Sequence, residues 1–145
     1  MDKVFLDTDV ILDLLLEREK FVAHARTIFQ KIELGKIVGY TSPVILSNLY
    51  YVSSNLKNKR IAISNIRKIH QILKITKVDQ QIIDSVLKQS IVKDFEDYIQ
   101  LYSAVDENVD FLVTRNKKHY PKNSIVKIIA PEELVHIIES EEKTP

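Results

Sequence analysis

The sequence predicts an α/β fold in three layers, α/β/α, with a central parallel sheet of five short strands covered by helices on both faces. Two observations carry this. Runs rich in β-forming residues recur at Val4 to Leu6, Ile37 to Tyr40, Ile72 to Ile75, Phe111 to Val113 and Val126 to Ile129, and helical periodicity fills the intervals between them. Such alternation builds parallel sheets, because each intervening helix carries the chain back to begin the next strand in the same direction. Glycine is confined to Gly35 and Gly39, and no Pro-rich, Ser-rich or repetitive stretch interrupts the pattern. The 145 residues therefore read as one domain over 1–140, with a short polar tail at 141–145.

The helices are marked by their starts. Ser42-Pro43 opens one with proline in its first turn, Asp94 opens another, and Ala130-Pro131-Glu132-Glu133 opens the last. From Asp94 to Asn108, the residues Phe95, Tyr98, Ile99, Tyr102 and Val105 recur at steps of three and four and form one apolar face. Lys57 to Ile69 and Asp79 to Ile91 also carry helical spacing.

Composition narrows the chemistry more by exclusion than by direction. With 21 basic and 20 acidic residues, 45% hydrophobic and 28% charged, the chain has a globular balance and no global basic excess. Contact with nucleic acid would have to come from a local patch. There is no cysteine, which excludes thiolate catalysis, disulfide frameworks and Cys-type zinc sites. A bound metal would be held by oxygen or histidine. His24, His70, His119 and His136 are scattered without ligand spacing and read as surface or core histidines. The first apolar run is far short of a signal-peptide core or a membrane span, so the expectation is a cytoplasmic protein with no membrane association.

In an open parallel sheet, ligands bind beyond the carboxyl ends of the strands. Asp7 follows the first run, Thr41-Ser42 the second, and Thr114-Arg115-Asn116 the fourth. All should meet at one edge. A carboxylate at the tip of a buried central strand loses hydration unless it is paired, and a divalent cation is one such partner. Asp9 and Asp13 admit two accounts, an N-cap with a solvated helix residue or two functional carboxylates on one helical face. Asp94, Glu96 and Asp97 crowd the first turn of their helix, where negative charge is favourable in any case. Asp97 lies beside the apolar face and leans inward, which favours function; Asp94 reads as the N-cap and Glu96 as solvated. Mg²⁺ or Mn²⁺ would need only two or three of these acids plus waters, and would activate a water against a phosphate.

Arg115, Lys117, Lys118, His119 and Lys122 form a basic cluster on the same edge. Arg115 is the best phosphate candidate among them, because a guanidinium grips phosphate with two parallel hydrogen bonds. Lys57, Lys59 and Arg60 make a second, weaker patch, and Tyr50 and Tyr51 offer a base-stacking or dimer contact.

Three segments, VFLDTDVILDLLLER, TSPVILSNLYYV and DFEDYIQLYSAVDENVDFLVTRNKKHY, together resemble the acidic blocks of the PIN-domain family in their usual order, and in particular its VapC-like toxin ribonucleases. The likeness spans essentially the whole chain. It implies a five-stranded parallel sheet between helices, divalent-metal-dependent cleavage of RNA, an antitoxin partner and homodimerisation. Asp7 and Asp97 match family carboxylates, with Asp94 as a possible third metal ligand and Thr8, Ser42, Arg115 and Lys117 as substrate contacts. Two positions depart from the common pattern. Asn48 stands where many members have glutamate, and Asn116 where many have aspartate, so both enter the catalytic set with one negative charge fewer.

Two other readings stay open on the residues alone. A degenerate module of the same family would bind RNA or a protein without cutting. A haloacid-dehalogenase-type phosphatase would use Asp7 as nucleophile and Asp9 as general acid within Asp7-Thr8-Asp9-Val10, with Thr41-Ser42 as its second motif. The absence of glycine beyond Gly39 argues against the phosphatase, which needs a Gly-Asp-rich metal loop after a later strand.

Overall fold

The computed structural model describes residues 2–143. Strand β1 (Lys3–Leu6) leads into α1 (Thr8–Leu15) and α2 (Val22–Glu33). Strand β2 (Val38–Thr41) is followed by the hairpin of α3 (Pro43–Leu56) and α4 (Lys59–Ile72). Strand β3 (Lys74–Ile75), α5 (Gln80–Leu87) and α6 (Phe95–Asp106) come next. Strand β4 (Phe111–Val113), a 3₁₀ turn at Lys117–His119, β5 (Lys127–Ile129) and α7 (Pro131–Glu142) complete the described chain. The strands form one parallel sheet in the order β3-β2-β1-β4-β5. This is the three-layer α/β/α architecture that the sequence pattern implies.

Strand β1 lies at the centre, and Val4, Phe5 and Leu6 are each fully buried. A continuous apolar run, without polar alternation, is what a strand covered on both faces requires. The chain builds β2 and β3 outward on one side of β1 and then returns to place β4 and β5 on the other. The switch point therefore falls between β1 and β4, where an open sheet leaves a crevice at its carboxyl edge. Gly39 in β2 is needed for close packing, since a Cβ there would come within 2.6 Å of both Ile32 and Leu73. A second apolar cluster of Ile82, Val86, Tyr98 and Ile99 joins α5 to α6.

Helix starts follow the cap rules. The side chains of Asp7, Ser42, Asn58, Asp79 and Asp94 each accept a backbone N–H from the first turn of the helix that follows. Several sequence-based bounds shift. The third strand begins at Lys74, not Ile72, because α4 runs on to Ile72 and Leu73 closes it in extended conformation. The helix expected from Lys57 is divided from α3 by the Asn58 cap, and the one expected to reach Ile91 ends at Leu87. Helix α7 includes Glu141 and Glu142, which the sequence suggested as tail, and Glu142 accepts from Lys31 of α2. Thr144 and Pro145 lie outside the described residues. Among those described, no helix is long and apolar enough to cross a membrane.

Candidate active site

At the carboxyl edge of β1 and β4, a cleft of about 410 Å³ is lined by the acids Asp7, Asp9, Asp94, Glu96 and Asp97, among other residues. Asp7 and Asp97 both line this cleft, and Asp7 lies close enough to raise the pKa of Asp97. Asn48, Asn116, Thr8, Tyr51 and His119 join the same wall.

Asp7 is only 8% exposed, and its burial is compensated by three donors. Its Oδ1 accepts the Thr8 N–H at 2.8 Å, and Oδ2 accepts the hydroxyls of Tyr120 at 2.8 Å and Thr114 at 3.0 Å. Asp7, not Asp9, is thus the N-cap of α1. A carboxylate offers about four lone-pair directions, so one remains for a further partner. Burial and the nearby acids push the Tyr120 hydroxyl well above its ordinary pKa, which keeps it a donor.

Asp9 is the neighbour that the capping account left undecided. Its Oδ2 accepts the backbone N–H of Arg115 and the side-chain amide of Asn116, each at 3.0 Å, while Oδ1 is buried with no hydrogen-bond partner. Burial, and secondarily the Asp7 carboxylate, push its pKa up to about 6 from 3.8. Asp97, half-buried at the start of α6, is raised to about 6 by burial, then by Asp7 and Asp94, against the pull of His119. Asp94 caps α6 through the Asp97 N–H at 3.0 Å.

These shifts predict an inverted acid response. Asp9 binds its proton more tightly in the folded chain than in the unfolded one, so the native state holds the excess proton between about pH 4 and 6. Its contribution to stability is then fully present below the unfolded pKa and lost as pH rises through 6. Asp9→Asn should flatten the fall in stability from pH 4 to 7 by on the order of 2 kcal/mol, read by urea unfolding. Parallel pH profiles for the two proteins would contradict the assignment.

Four expectations from the sequence need correction. Arg115 does not face the cleft as a free phosphate clamp: its Nε and Nη2 bind the two oxygens of Asp13 at 2.8 and 3.0 Å, and its guanidinium stacks 3.7 Å from the ring centre of Phe21. Asp13 is correspondingly neither solvated nor a cleft ligand, being 1% exposed and paired also with Arg18 at 3.4 Å. Ser42 is fully buried, donating to Gln100 while its oxygen caps α3, and so cannot reach substrate. Lys117 pairs with Glu133 and lines a different cavity, between the 3₁₀ turn and β5. Thr8 does line the cleft.

Sequence reading passed over Tyr120, and it placed His119 in the basic cluster on this edge while reading it as a surface or core histidine. His119 Nδ1 lies 3.1 Å from Asp97 Oδ2, so this histidine belongs to the cleft despite having no spaced partner in the chain. The only signal for either was proximity to Asn116 after the fourth strand.

The donor set suits a hard, oxygen-loving cation. Among the described residues, no three Asp, Glu or His side chains lie close enough together to hold a metal ion as they stand. That excludes a ready-made all-protein cage but fits Mg²⁺ or Mn²⁺, which take one or two carboxylates and retain waters. The orphaned Asp9 Oδ1 and the spare lone pair of Asp7 are the matching observations.

Fold and cleft define a class of protein, an α/β domain with its acids gathered at the switch point of a five-stranded parallel sheet. Residues 3–118 match the model of the PIN domain, and the chain belongs to the PIN-domain family. Ribonuclease VapC1 of Aquifex aeolicus (strain VF5) is 25% identical over 136 residues, covering 91% of this chain and 92% of that protein. Among solved structures, VapBC-1 from nontypeable Haemophilus influenzae superposes with a TM-score of 0.67 at 19% identity, over 90% of this chain and 98% of that one. Mycobacterium tuberculosis VapC20, a Sarcin-Ricin loop cleaving toxin, gives 0.60 at 12% identity over 75% and 86%. The structural likenesses bear on the fold. Family membership displaces the phosphatase reading.

Proposed function

We propose that this chain is a divalent-metal-dependent endoribonuclease and the toxin of a toxin–antitoxin pair. The observation that carries the reading is the meeting of Asp7 from the tip of β1, Asp9 from α1 and Asp97 from α6 in one cleft, with the pKa of Asp9 and of Asp97 each raised to about 6 by burial and then by Asp7, and that of Asp97 also by Asp94. Like charges are gathered here at a cost in the metal-free chain, which is the usual mark of a functional site. The ribonuclease and toxin named among its relatives supply the substrate class.

Asp7 and Asp97 would hold Mg²⁺ or Mn²⁺ together with retained waters, with Asp9 beside them, and the ion would supply charge stabilisation at phosphate and a more acidic bound water. The chain's own groups set the stage for it. Thr114 and Tyr120 fix the Asp7 carboxylate by hydrogen bonds to Oδ2. Asn116 orients Asp9, and His119 orients Asp97. Tyr51, 68% exposed on the cleft wall, offers a face on which an unpaired base stacks. RNA and an antitoxin are the partners in this reading, the chain is a homodimer, and it works in the cytoplasm.

A second reading, an RNA- or protein-binding module that does not cut, draws on Asn48 and Asn116 and on the absence of a ready-made three-carboxylate cage among the described residues. A single assay separates the two. A structured RNA incubated with the purified chain should be cut with Mn²⁺ or Mg²⁺ and left intact in EDTA. Binding of RNA without fragments under any metal condition would select the module. Light scattering on the eluted protein tests the dimer.

A further inference from the structure

We propose that Arg18 is the phosphate-binding side chain of the cleft, and that with Tyr51 it forms a nucleotide subsite for the RNA strand beside the acids. The inference rests on the ribonuclease reading above and names where the substrate is gripped. A cleft rich in carboxylates repels RNA, so a fixed cation within it has a use, to hold the strand by its backbone. Among the described residues that line the cleft, Arg18 is the one lysine or arginine. The basic run after β4 contributes only His119 to this wall.

Arg18 and Arg115 both meet Asp13, but they are engaged unequally. Arg115 binds both carboxylate oxygens, at 2.8 and 3.0 Å, and stacks on Phe21. Arg18 gives only Nη1, at 3.4 Å, to an oxygen that Arg115 already holds, which is long for a charge-assisted bond. Its Nε and Nη2 donate to nothing among the described residues. One carboxylate thus faces two guanidiniums, and the positive charge left over stands on the cleft side. The backbone fixes its root. The chain turns back at Glu17, whose φ of 49° lies in the left-handed region that a residue with a Cβ seldom adopts. The Arg18 carbonyl then accepts the N–H groups of Phe21 and Val22 at 2.9 and 2.8 Å. The head of the side chain stays 38% exposed.

Helices α1 and α3 both start at the carboxyl edge, after β1 and β2, and run away from it. Leu12 stands about one turn beyond Asp9 on α1, and Tyr51 and Val52 about one turn beyond Asn48 on α3. The wall therefore passes from carboxylates to apolar side chains, joined by the Arg18 fork and the exposed Tyr51 ring. These are the two groups that a nucleotide needs: a guanidinium takes its phosphate through parallel N–H bonds, and an aromatic face takes its base.

Fluorescence anisotropy of a dye-labelled single-stranded RNA tests this as binding and not as cleavage, with the wild-type chain titrated in EDTA and the Asp7→Asn chain in Mn²⁺. On either background Arg18→Gln should weaken binding by about tenfold and flatten its salt dependence by about one phosphate contact. Arg18→Lys keeps the charge, so it should keep the salt dependence and stay within about threefold in affinity. Tyr51→Ala should cost about tenfold with the salt dependence unchanged, and Tyr51→Phe should bind as the parent chain does. Arg26→Gln, which removes an exposed charge on α2 outside the cleft, should change neither affinity nor slope. Thermal melting of each variant checks folding, and the exposed Tyr51 position decides the matter if Arg18→Gln does not fold. Arg18→Gln with parental affinity and slope, or Tyr51→Ala with parental affinity, would overturn the subsite and leave the ribonuclease reading standing. A chain that binds no RNA on either background would overturn that reading itself.

Discussion

Arg115→Met should destabilise the protein by about 3 kcal/mol and lower its melting temperature by on the order of 10 °C. The physical cause is the charge left behind. Asp13 is 1% exposed and receives two hydrogen bonds from the Arg115 guanidinium; once these are removed, a buried carboxylate faces only the distant arm of Arg18 at 3.4 Å. Partial exposure of Arg115 and the presence of Arg18 hold the effect at the lower end of the range for broken buried pairs. Replacing both partners with apolar residues, Arg115→Met with Asp13→Leu, should recover most of the loss, because no charge is then stranded. Urea unfolding of the two variants decides it. A single variant within about 1 kcal/mol of wild type would mean that the pair is an ordinary surface contact.

That ion pair also shows where sequence reasoning stops. In the chain, Arg115 stands in the run Arg-Asn-Lys-Lys-His, which reads as a basic loop on the functional edge. Nothing local states that its partner is Asp13, on the first helix. The period of α1 places Asp13 among Val10, Ile11 and Leu12, all buried, and a charge on that face requires a partner from elsewhere; its identity is a tertiary fact. Ser42 failed for a related reason. Its cap role was legible from Ser42-Pro43, and a cap buried under α6 has no reach toward substrate.

What was legible followed from rules that act over a few residues. The continuous apolar run at β1 and the cap residues Ser42 and Asp94 gave the frame, and the rule that ligands gather at the carboxyl edge singled out Asp7. Asp97 sits half-buried beside the apolar face, as its helical position implied. The short β3 was overdrawn because Ile72 and Leu73 are apolar in either conformation, and only the continuing α4 hydrogen bonds distinguish them. Glu96 read as solvated because solvent exposure and cleft exposure look the same in a first turn rich in acids.

Asp7→Asn should reduce RNA cleavage by about 10²- to 10⁴-fold while leaving the fold in place. The carboxylate and the amide have the same shape, and the amide oxygen can take over the bonds from Thr114 and Tyr120. Its nitrogen then points at the Thr8 N–H, donor against donor, so α1 loses its cap at about 1 kcal/mol. Against that loss stands relief of the repulsion that raises Asp9 and Asp97. The two effects oppose each other, and the net change in stability should stay within about 1 kcal/mol. Activity has no such offset, because the anionic centre shared by β1, α1 and α6 loses the charge nearest to all of them. Cleavage rates and melting curves taken on the same preparations separate the two consequences. A variant that retains more than about a tenth of wild-type cleavage would show that the chemistry lies elsewhere in the chain.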